Sequence, residues 1–279
     1  MPQQVYIDHL LLQFNQEQFD PLPSWTSDNF TVIDGGVHTG GLSRNKLIIF
    51  RDGTYLELYN WIRKPDDWKD RLPGDFALTA LAPTTAESSR DRIVRALETN
   101  PGDGNLGISH SLPIEGGRKN TEGIEIQWKI VKAQYEQGKS TPPDELYPRG
   151  RRTDAPFFCH DVTPRERRVM FDRPNVTQHA SGATGIERIE VLVPRGMLER
   201  YTDVYSSIIG SAPEKKDGAT EFQLKAPNIR RLEGLIRVRE ALTDEDERFL
   251  RETGVGISGL VLRSERGEPI IFPISDYLH

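Results

Sequence analysis

Two ionisable side chains lie in the middle of apolar segments near the start of the sequence. His9 lies between Ile7 and Leu11, and Glu57 lies in a second apolar segment, 45–59. Because a polar or charged group is costly to bury alone, each side chain needs a metal ion or a hydrogen-bonding partner. A histidine and a glutamate are typical of a metal site or of an acid–base pair. The two residues therefore predict a functional site.

Segment 45–59 has the pattern of a β-hairpin. An Asp-Gly pair separates its two apolar runs, which is typical of a tight turn between antiparallel strands. In the second strand, alternation puts Tyr55, Glu57 and Tyr59 on one face and the intervening leucines on the other. We therefore expect Glu57 to point towards an aromatic surface.

Length and composition narrow the class of protein. A chain of 279 residues, with 36% hydrophobic and 28% charged residues, suggests one large or two ordinary globular domains. No apolar run approaches the roughly 20 residues of a membrane span, and no secretory signal is expected. The single cysteine, Cys159, excludes an internal disulfide and is compatible with a reducing, cytoplasmic location. The net charge of −6 argues against nucleic-acid binding.

The order of predicted elements repeats along the chain. A first unit has a strand, a polar connector and three further strands, and a second unit has a strand, a helix and three strands. The second unit's strands are predicted at 76–81, about 106–112, 123–132 and 156–160. This pattern indicates an α+β fold with mostly antiparallel strands. We expect two βαβββ modules, at about 4–64 and 75–162, within a domain at 1–184.

The same rhythm restarts after residue 185. A strand at 186–193 precedes an amphipathic helix that ends at Gly210, and further strands and an acidic-started helix follow. We expect an α+β domain at 185–279 that resembles a third, diverged module. It has no histidine before His279, so a structural or dimer-forming role is predicted for it.

Several short segments, in this order and spacing, carry a resemblance to a known family. The sequence resembles the glyoxalase-like branch of the vicinal oxygen chelate superfamily, which includes glyoxalases, bleomycin resistance proteins and extradiol dioxygenases. The resemblance covers roughly residues 4–184. It implies tandem βαβββ modules that form a curved sheet around a cavity. The segments are Ile7-Asp8-His9-Leu10, Gly35-Gly36-Val37-His38-Thr39-Gly40, Tyr55-Leu56-Glu57-Leu58 and Pro156-Phe157-Phe158-Cys159-His160.

The resemblance also implies a divalent metal ion. Its ligands would be His9, Glu57 and His160, while the strand at 76–81, which supplies a further ligand in metal-dependent members, has none here. Two imidazoles and a carboxylate suit Fe, Mn, Ni, Co or Zn alike, so the ligands leave the ion's identity open. The alternative is that no metal is retained, with His9 and Glu57 paired to other side chains and His160 capping a strand end. Cys159 is expected to face the core, opposite His160.

Further polar residues are expected around the cavity. The resemblance makes His38 and Asn45 candidate substrate contacts, although a simple hairpin loop is the alternative for His38. Aromatic walls would come from Tyr55, Tyr59 and Trp128. His179 is predicted as a second proton-transfer group beside the catalytic His9 and Glu57. Arginine clusters at 149–152 and 165–168 could attract an anion, but a solvated loop is the preferred interpretation.

Three hypotheses for the function follow as expectations. The first is a metal-dependent enzyme, a lyase, isomerase or dioxygenase, that acts on a small molecule with adjacent oxygens through an enolate-like intermediate. The second is a metal-free small-molecule-binding protein or acid–base enzyme that uses the same cavity. A structural subunit with a vestigial site is a third. The expected partners are a small-molecule substrate and, by the family's habit, a second copy in a homodimer, with no nucleic acid and no membrane.

Overall fold

The computed structural model describes residues 4–63, 74–99, 106–135, 153–228, 232–272 and 274. The strands in these residues are β1 (Tyr6–Phe14), β2 (Ile33–Val37), β3 (Ser43–Ile49), β4 (Tyr55–Trp61), β5 (Asp75–Thr79), β6 (Ile108–His110), β7 (Ile114–Lys119), β8 (Glu125–Val131), β9 (Ala133–Tyr135), β10 (Phe157–Asp161), β11 (Ala183–Val193), β12 (Glu214–Lys216), β13 (Ala219–Lys225), β14 (Glu233–Glu240), β15 (Gly256–Ser264) and β16 (Ile270–Phe272). The helices are α1 (Gln16–Phe19), α2 (Ser24–Asn29), α3 (Ala86–Thr99), α4 (Arg165–Arg168), α5 (Pro174–Thr177), α6 (Leu198–Ile209) and α7 (Asp244–Thr253).

The first module has the strand order β1-β4-β3-β2, with β1 and β4 parallel and the other neighbours antiparallel. The tight turn between β3 and β4 is possible because Gly53 adopts a φ of 89°. Leu10, Leu56 and Leu58 point to the core, and Tyr55 and Glu57 point to the other face. The hairpin and its alternation are as the sequence predicts.

The second module repeats this order as β5-β10-β8-β7, in which β5 and β10 are parallel as β1 and β4 are in the first module. The predicted strand at 106–112 is the exception, because β6 pairs with β9 in a separate two-stranded sheet. Its expected place is taken by β7, whose pairing partner is β8. Gly116 and Gly117 give β7 a poor strand pattern, which explains why the sequence indicates the wrong segment.

The two modules close around a cavity. On one side β1 pairs antiparallel with β5, and on the other an isolated bridge joins His38, after β2, to Arg118 on β7. The Thr39 N–H donates to the Gly117 carbonyl at 2.8 Å beside this bridge. Eight strands therefore form a ring, in which one seam is a continuous ladder and the other is short.

The C-terminal residues repeat the pattern once more. Strand β11 is parallel to β14, which continues to β13 and β12, and β15 is antiparallel to β11 as β5 is to β1. One pair, Tyr6 with Lys225, joins β1 to β13, so that fourteen strands of the described residues belong to one curved mixed sheet. The predicted α+β fold with tandem βαβββ modules is confirmed. The boundary near residue 185 stays a prediction.

Helices α3 and α6 cover the face of the sheet opposite the cavity. Helices α3 and α6 pack together, and Arg92 on α3 donates to the Ser207 and Ile208 carbonyls at 3.0 and 2.5 Å. A cation at the last turn satisfies carbonyls that have no partner within the helix. Of the helices in the described ranges, none has the length and apolar character needed to cross a membrane.

Candidate acid–base site

A β-bulge in β1 creates the first part of the site. Ile7 pairs with Leu78, but His9 pairs with Ala77, so Asp8 is an extra residue in the strand. A bulge disturbs the normal alternation and redirects side chains locally. The Asp8 and His9 side chains are both buried, and Asp8 Oδ2 lies 2.7 Å from His9 Nδ1. The bulge thus provides His9 with a carboxylate partner.

Two arginines from α4 neutralise Asp8. Arg165 Nη1 lies 2.6 Å from Asp8 Oδ1, and Arg168 Nη1 lies 2.8 Å from Asp8 Oδ2. Arg168 also donates to Asp161 and, at 2.7 Å, to the Tyr55 hydroxyl. Burial opposes ionisation of Asp8, but the arginines and His9 hold its pKa well below the ordinary value. Asp8 is therefore a permanent carboxylate behind His9.

Glu57 lies on the other side of His9. Its Oε2 is 3.3 Å from His9 Nε2, and its Oε1 accepts a hydrogen bond of 2.8 Å from Asn45 Nδ2. Burial alone would raise the pKa of Glu57, but His9, His38 and Asn45 lower it to about 2. Burial likewise opposes charge on His9, but Asp8 and Glu57 raise the pKa of its imidazole. The site thus favours an imidazolium between two carboxylates.

A second imidazole lies on the far side of Glu57. His38 Nε2 is 3.6 Å from Glu57 Oε1 and 3.2 Å from Asn45 Nδ2, and His38 Nδ1 is 2.9 Å from Ser43 Oγ. Asn45 must present its amide nitrogen to Glu57, and a nitrogen donor requires His38 Nε2 to accept. Burial lowers the pKa of His38, which agrees with a neutral ring protonated on Nδ1.

These groups line a cavity of about 260 Å³. The Tyr55 ring stacks on His9 with 4.5 Å between centroids, and Tyr59 stacks on His38 at 5.6 Å. The edge of Trp128 meets His38 at 5.8 Å. A Cβ at Gly116 would overlap the Trp128 indole nitrogen, so this glycine leaves room for the ring. The aromatic lining with a few convergent polar groups is typical of a small-molecule site, and the volume suits only a small ligand.

Most of the predicted site residues lie in this cavity. His9, Glu57, His38, Asn45, Tyr55, Tyr59 and Trp128 all line it. From the sequence, Asp8 has no predicted role of its own and the arginines at 165–168 are only a less favoured site of anion attraction, because a bulge and long-range ion pairs leave no local signal. The preferred interpretation of 165–168 as a solvated loop is wrong, since Arg168 is only 3% exposed. The cluster at 149–152 lies outside the described residues.

His160 does not lie in the cavity. Its neighbours Phe157 and Cys159 line the cavity wall, so His160 points to the opposite face, where its ring stacks on Phe158 with 5.8 Å between centroids. Cys159, which was expected to face the core, faces the cavity instead. Burial raises the pKa of the Cys159 thiol, so the residue is an uncharged part of the wall.

His179 also lies elsewhere. Its Nδ1 accepts from the Thr31 N–H at 3.1 Å, and its Nε2 donates to the Ile49 carbonyl at 3.1 Å. Both ring nitrogens are therefore occupied by backbone groups outside the cavity. This arrangement corrects the prediction of a second proton-transfer group, because it gives His179 a structural role.

The residues do not fit the three-ligand metal site that the resemblance implies. His9 and Glu57 are present on the first module, but the matching wall positions on β5 and β10 hold Ala77 and Cys159. Among the residues that the structure describes, no group of three or more His, Cys, Asp or Glu side chains is placed to hold a metal ion. The observed contacts are those of a hydrogen-bonded acid–base cluster.

Comparisons with known proteins agree with this fold. A family model described as a glyoxalase-like domain matches residues 7–208. A search of curated proteins found no match. Among solved structures, a hypothetical protein from Staphylococcus aureus is 14% identical with a TM-score of 0.58, covering 96% of this chain and 98% of the other. At this identity, the likeness shows the fold alone.

Two other solved structures have lower scores. A triple mutant of 4-hydroxymandelate synthase from Streptomyces coelicolor is 12% identical with a TM-score of 0.47, covering 93% of this chain and 70% of the other. A xylose isomerase-like TIM barrel/4-hydroxyphenylpyruvate dioxygenase fusion protein is 11% identical with a TM-score of 0.44, covering 94% of this chain and 37% of the other.

Proposed function

Because the chain belongs to the glyoxalase-like domain family of the vicinal oxygen chelate superfamily, we propose that it is an acid–base lyase or isomerase. Its substrate is a small molecule with a carbonyl or hydroxyl oxygen beside the carbon that loses a proton. The reaction passes through an enolate. The proposal uses the described cavity and requires no ligand from the second module.

One observation carries the proposal: Glu57 lies between two imidazoles whose surroundings favour opposite protonation states. The pKa of His9 is raised and the pKa of His38 is lowered. A pair of titratable groups with pKa values moved apart is the usual sign of an acid and a base in one site. Near neutral pH, His9 is then the acid and His38 the base.

The proposed proton transfer uses groups that already face the cavity. Substrate displaces the Asn45 amide from His38 Nε2, which then accepts a proton from carbon as the C–H bond breaks. The electron pair moves onto the adjacent oxygen, and the His9 Nε2 proton stabilises the resulting enolate. Positioned acids and bases contribute roughly 10²- to 10⁴-fold each. Glu57 orients both rings and is itself too weak a base, with a pKa of about 2.

A divalent metal ion remains a second candidate because of one distance. His9 Nε2 and Glu57 Oε2 are 3.3 Å apart, a spacing that two ligands of one ion can have. Of the reactions considered, a dioxygenase reaction would require this metal-dependent alternative. Metal analysis of protein purified without chelator separates the two, because a stoichiometric metal that depends on Glu57 favours this second candidate.

Hydrogen exchange tests the proposal before any product has been identified. Small 2-hydroxy ketones and 2-oxo acids are incubated with the protein in D₂O, with and without chelator, and loss of carbon-bound protons is followed by NMR. We expect exchange that resists chelation, falls at least about 100-fold in His38→Gln and falls in Glu57→Gln. Glu98→Gln, on an exposed position of α3, is the control. Exchange that disappears with chelator would overturn the metal-free proposal, and exchange retained in His38→Gln would overturn the assignment of the base.

A further inference from the structure

We propose that the cavity takes a substrate bearing a single carboxylate group and that Arg118 binds this group. The inference rests on the proposed function only in taking this cavity as the substrate site. It names the substrate class and a recognition residue, which the acid–base cluster alone does not define.

Arg118 is a buried cation in the cavity wall. It lies on β7, is 5% exposed and lines the same cavity as Glu57 and His38. Its guanidinium donates to the Gly35 carbonyl and, at 3.5 Å, to the Arg168 carbonyl. Within the part of the chain that the structure describes, no carboxylate forms an ion pair with it. Glu57 acts on this guanidinium electrostatically, but the direct contacts of Arg118 are carbonyl oxygens, so the buried charge has no counter-charge bound to it among the described residues.

The charge balance of the site supports an anionic ligand. Asp8 and Asp161 pair with the two arginines of α4, and Glu57 pairs with protonated His9. Among the described residues that pair within the site, Arg118 remains as the cation that no carboxylate contacts, so one negative charge, rather than two, matches it. The groups counted are Arg118, Arg165, Arg168 and His9 as cations, with Asp8, Glu57 and Asp161 as carboxylates.

The shape of the site favours a carboxylate on an unsaturated or aromatic body. A guanidinium matches a carboxylate in two parallel hydrogen bonds. Trp128 and Tyr59 provide flat apolar surfaces beside it, and the volume of about 260 Å³ limits the ligand to a small molecule. A dianionic phosphate would exceed the available counter-charge and would lie close to Glu57. We therefore favour a monoanionic carboxylate.

Matched probes test the inference by direct binding. Benzoate, benzamide and phenyl phosphate are titrated into the full chain at neutral pH and followed by calorimetry and by Trp fluorescence. We expect benzoate to bind roughly 10- to 100-fold more tightly than benzamide, because a hydrogen bond to a charged group is stronger than one to a neutral group. Phenyl phosphate should bind less tightly than benzoate.

Substitution assigns the effect to Arg118. Arg118→Gln should remove the preference for benzoate over benzamide, Arg118→Lys should keep part of it, and Arg173→Gln, at an exposed arginine outside the cavity, should leave it unchanged. Equal binding of benzoate and benzamide by the wild type overturns the inference without any variant, and so does absence of benzoate binding at low millimolar concentration. If the protein binds carboxylates but catalyses no proton exchange, the proposed reaction is wrong and this inference stands. If it catalyses exchange of neutral hydroxy ketones and shows no preference for carboxylates, this inference is wrong and the proposed reaction stands.

Discussion

The two barrel-forming modules have the same strand order but different side chains at matching positions. On strands β1 and β4 of module one, inward positions hold His9 and Glu57, whereas the matching positions of module two hold Cys159, which lines the cavity, and Ala77, which packs beside it. Strand order fixes which positions face the cavity, but it does not decide which of them carry donors. In this protein the acid–base groups therefore come from one half of a repeated scaffold.

The second module nevertheless completes the site. Trp128 and Phe157 supply aromatic wall, and Arg118 supplies a buried cation. In the proposed reaction, module one holds and transfers the proton, and module two receives the substrate. Four substitutions can break or sharpen this division.

The largest effect is expected for Arg168→Leu, which removes one of the contacts between the two modules. Arg168 bonds Asp8 of module one and Asp161 of module two. Its loss leaves buried carboxylates without one of their cations, so the free energy of unfolding should fall by about 3–5 kcal/mol in chemical denaturation. Arg167→Gln, at an exposed position of the same helix, is the control. A similar loss in both variants would show that α4 itself, rather than the ion pairs, is responsible.

The next effect is pH-dependent and contrasts two carboxylates of one hairpin. Glu57 has a lowered pKa, whereas burial raises the pKa of Asp52 to about 6, despite its bonds to Thr54 and its pairing with Arg263. Folding therefore favours protonated Asp52. Its stabilising contribution is full below pH ~4 and is lost as the pH rises through 6.

Asp52→Asn should remove this loss, because the amide stays neutral at every pH in the range. Between pH 4 and pH 7, the free energy of unfolding of the variant should gain about 2–3 kcal/mol relative to that of the wild type. Urea denaturation across this range measures the shift, with Asp34→Asn, at an exposed position, as the control. Parallel curves for wild type and Asp52→Asn would contradict the raised pKa.

A smaller effect is expected for Gly35→Ala in module one, which displaces Asn45. A Cβ at Gly35 would overlap Asn45 Oδ1, so Gly35→Ala must push the amide away from Glu57 and His38. Overpacking of this kind costs about 1–3 kcal/mol in unfolding free energy. Proton exchange should fall as well, because the two rings lose a common partner. Gly259→Ala, on β15, needs no positive φ and brings a Cβ no closer than 3.3 Å to its nearest atom, so it controls for the loss of a strand glycine outside the site.

The smallest effect is expected for Cys159→Ala in the substrate-receiving half. The thiol is an uncharged part of the wall, so the free energy of unfolding should fall by only about 1 kcal/mol. Proton exchange should remain near the wild-type rate. A large loss of exchange with unchanged folding would give Cys159 a chemical role and would weaken the division between the modules.

The sequence predicts module one better than module two for a physical reason. In β4 the inward residues are aromatic or charged and the outward ones are leucines, so alternation identifies both faces. In β10, residues Phe157 to His160 are all buried, and a strand buried on both faces has no polar side to mark its direction. The resemblance led to His160 as the inward residue of this strand, whereas its neighbour Cys159 is the one that lines the cavity.

Other parts of the site depend on contacts that no local pattern contains. The bulge that pairs Asp8 with His9 is visible only in the register between β1 and β5. Arg168 meets Asp8 across 160 positions of the chain. Arg118 lies in β7, which was not predicted as a strand because Gly116 and Gly117 are unfavourable in strands. Burial and long-range pairing, rather than residue type, decided these positions.

The pairing of His9 with Ala77 across β1 and β5 has a consequence for protein engineering. Ala77 is fully buried where β5 meets His9, and Cys159 lies on the next strand of the same wall. Ala77→His and Cys159→Glu would add two donors to the wall that already carries His9 and Glu57, at the cost of overpacking a closed site. A metal ion bound there would take His9 and Glu57 as ligands, so engineering this scaffold for metal binding means giving up its acid–base pair.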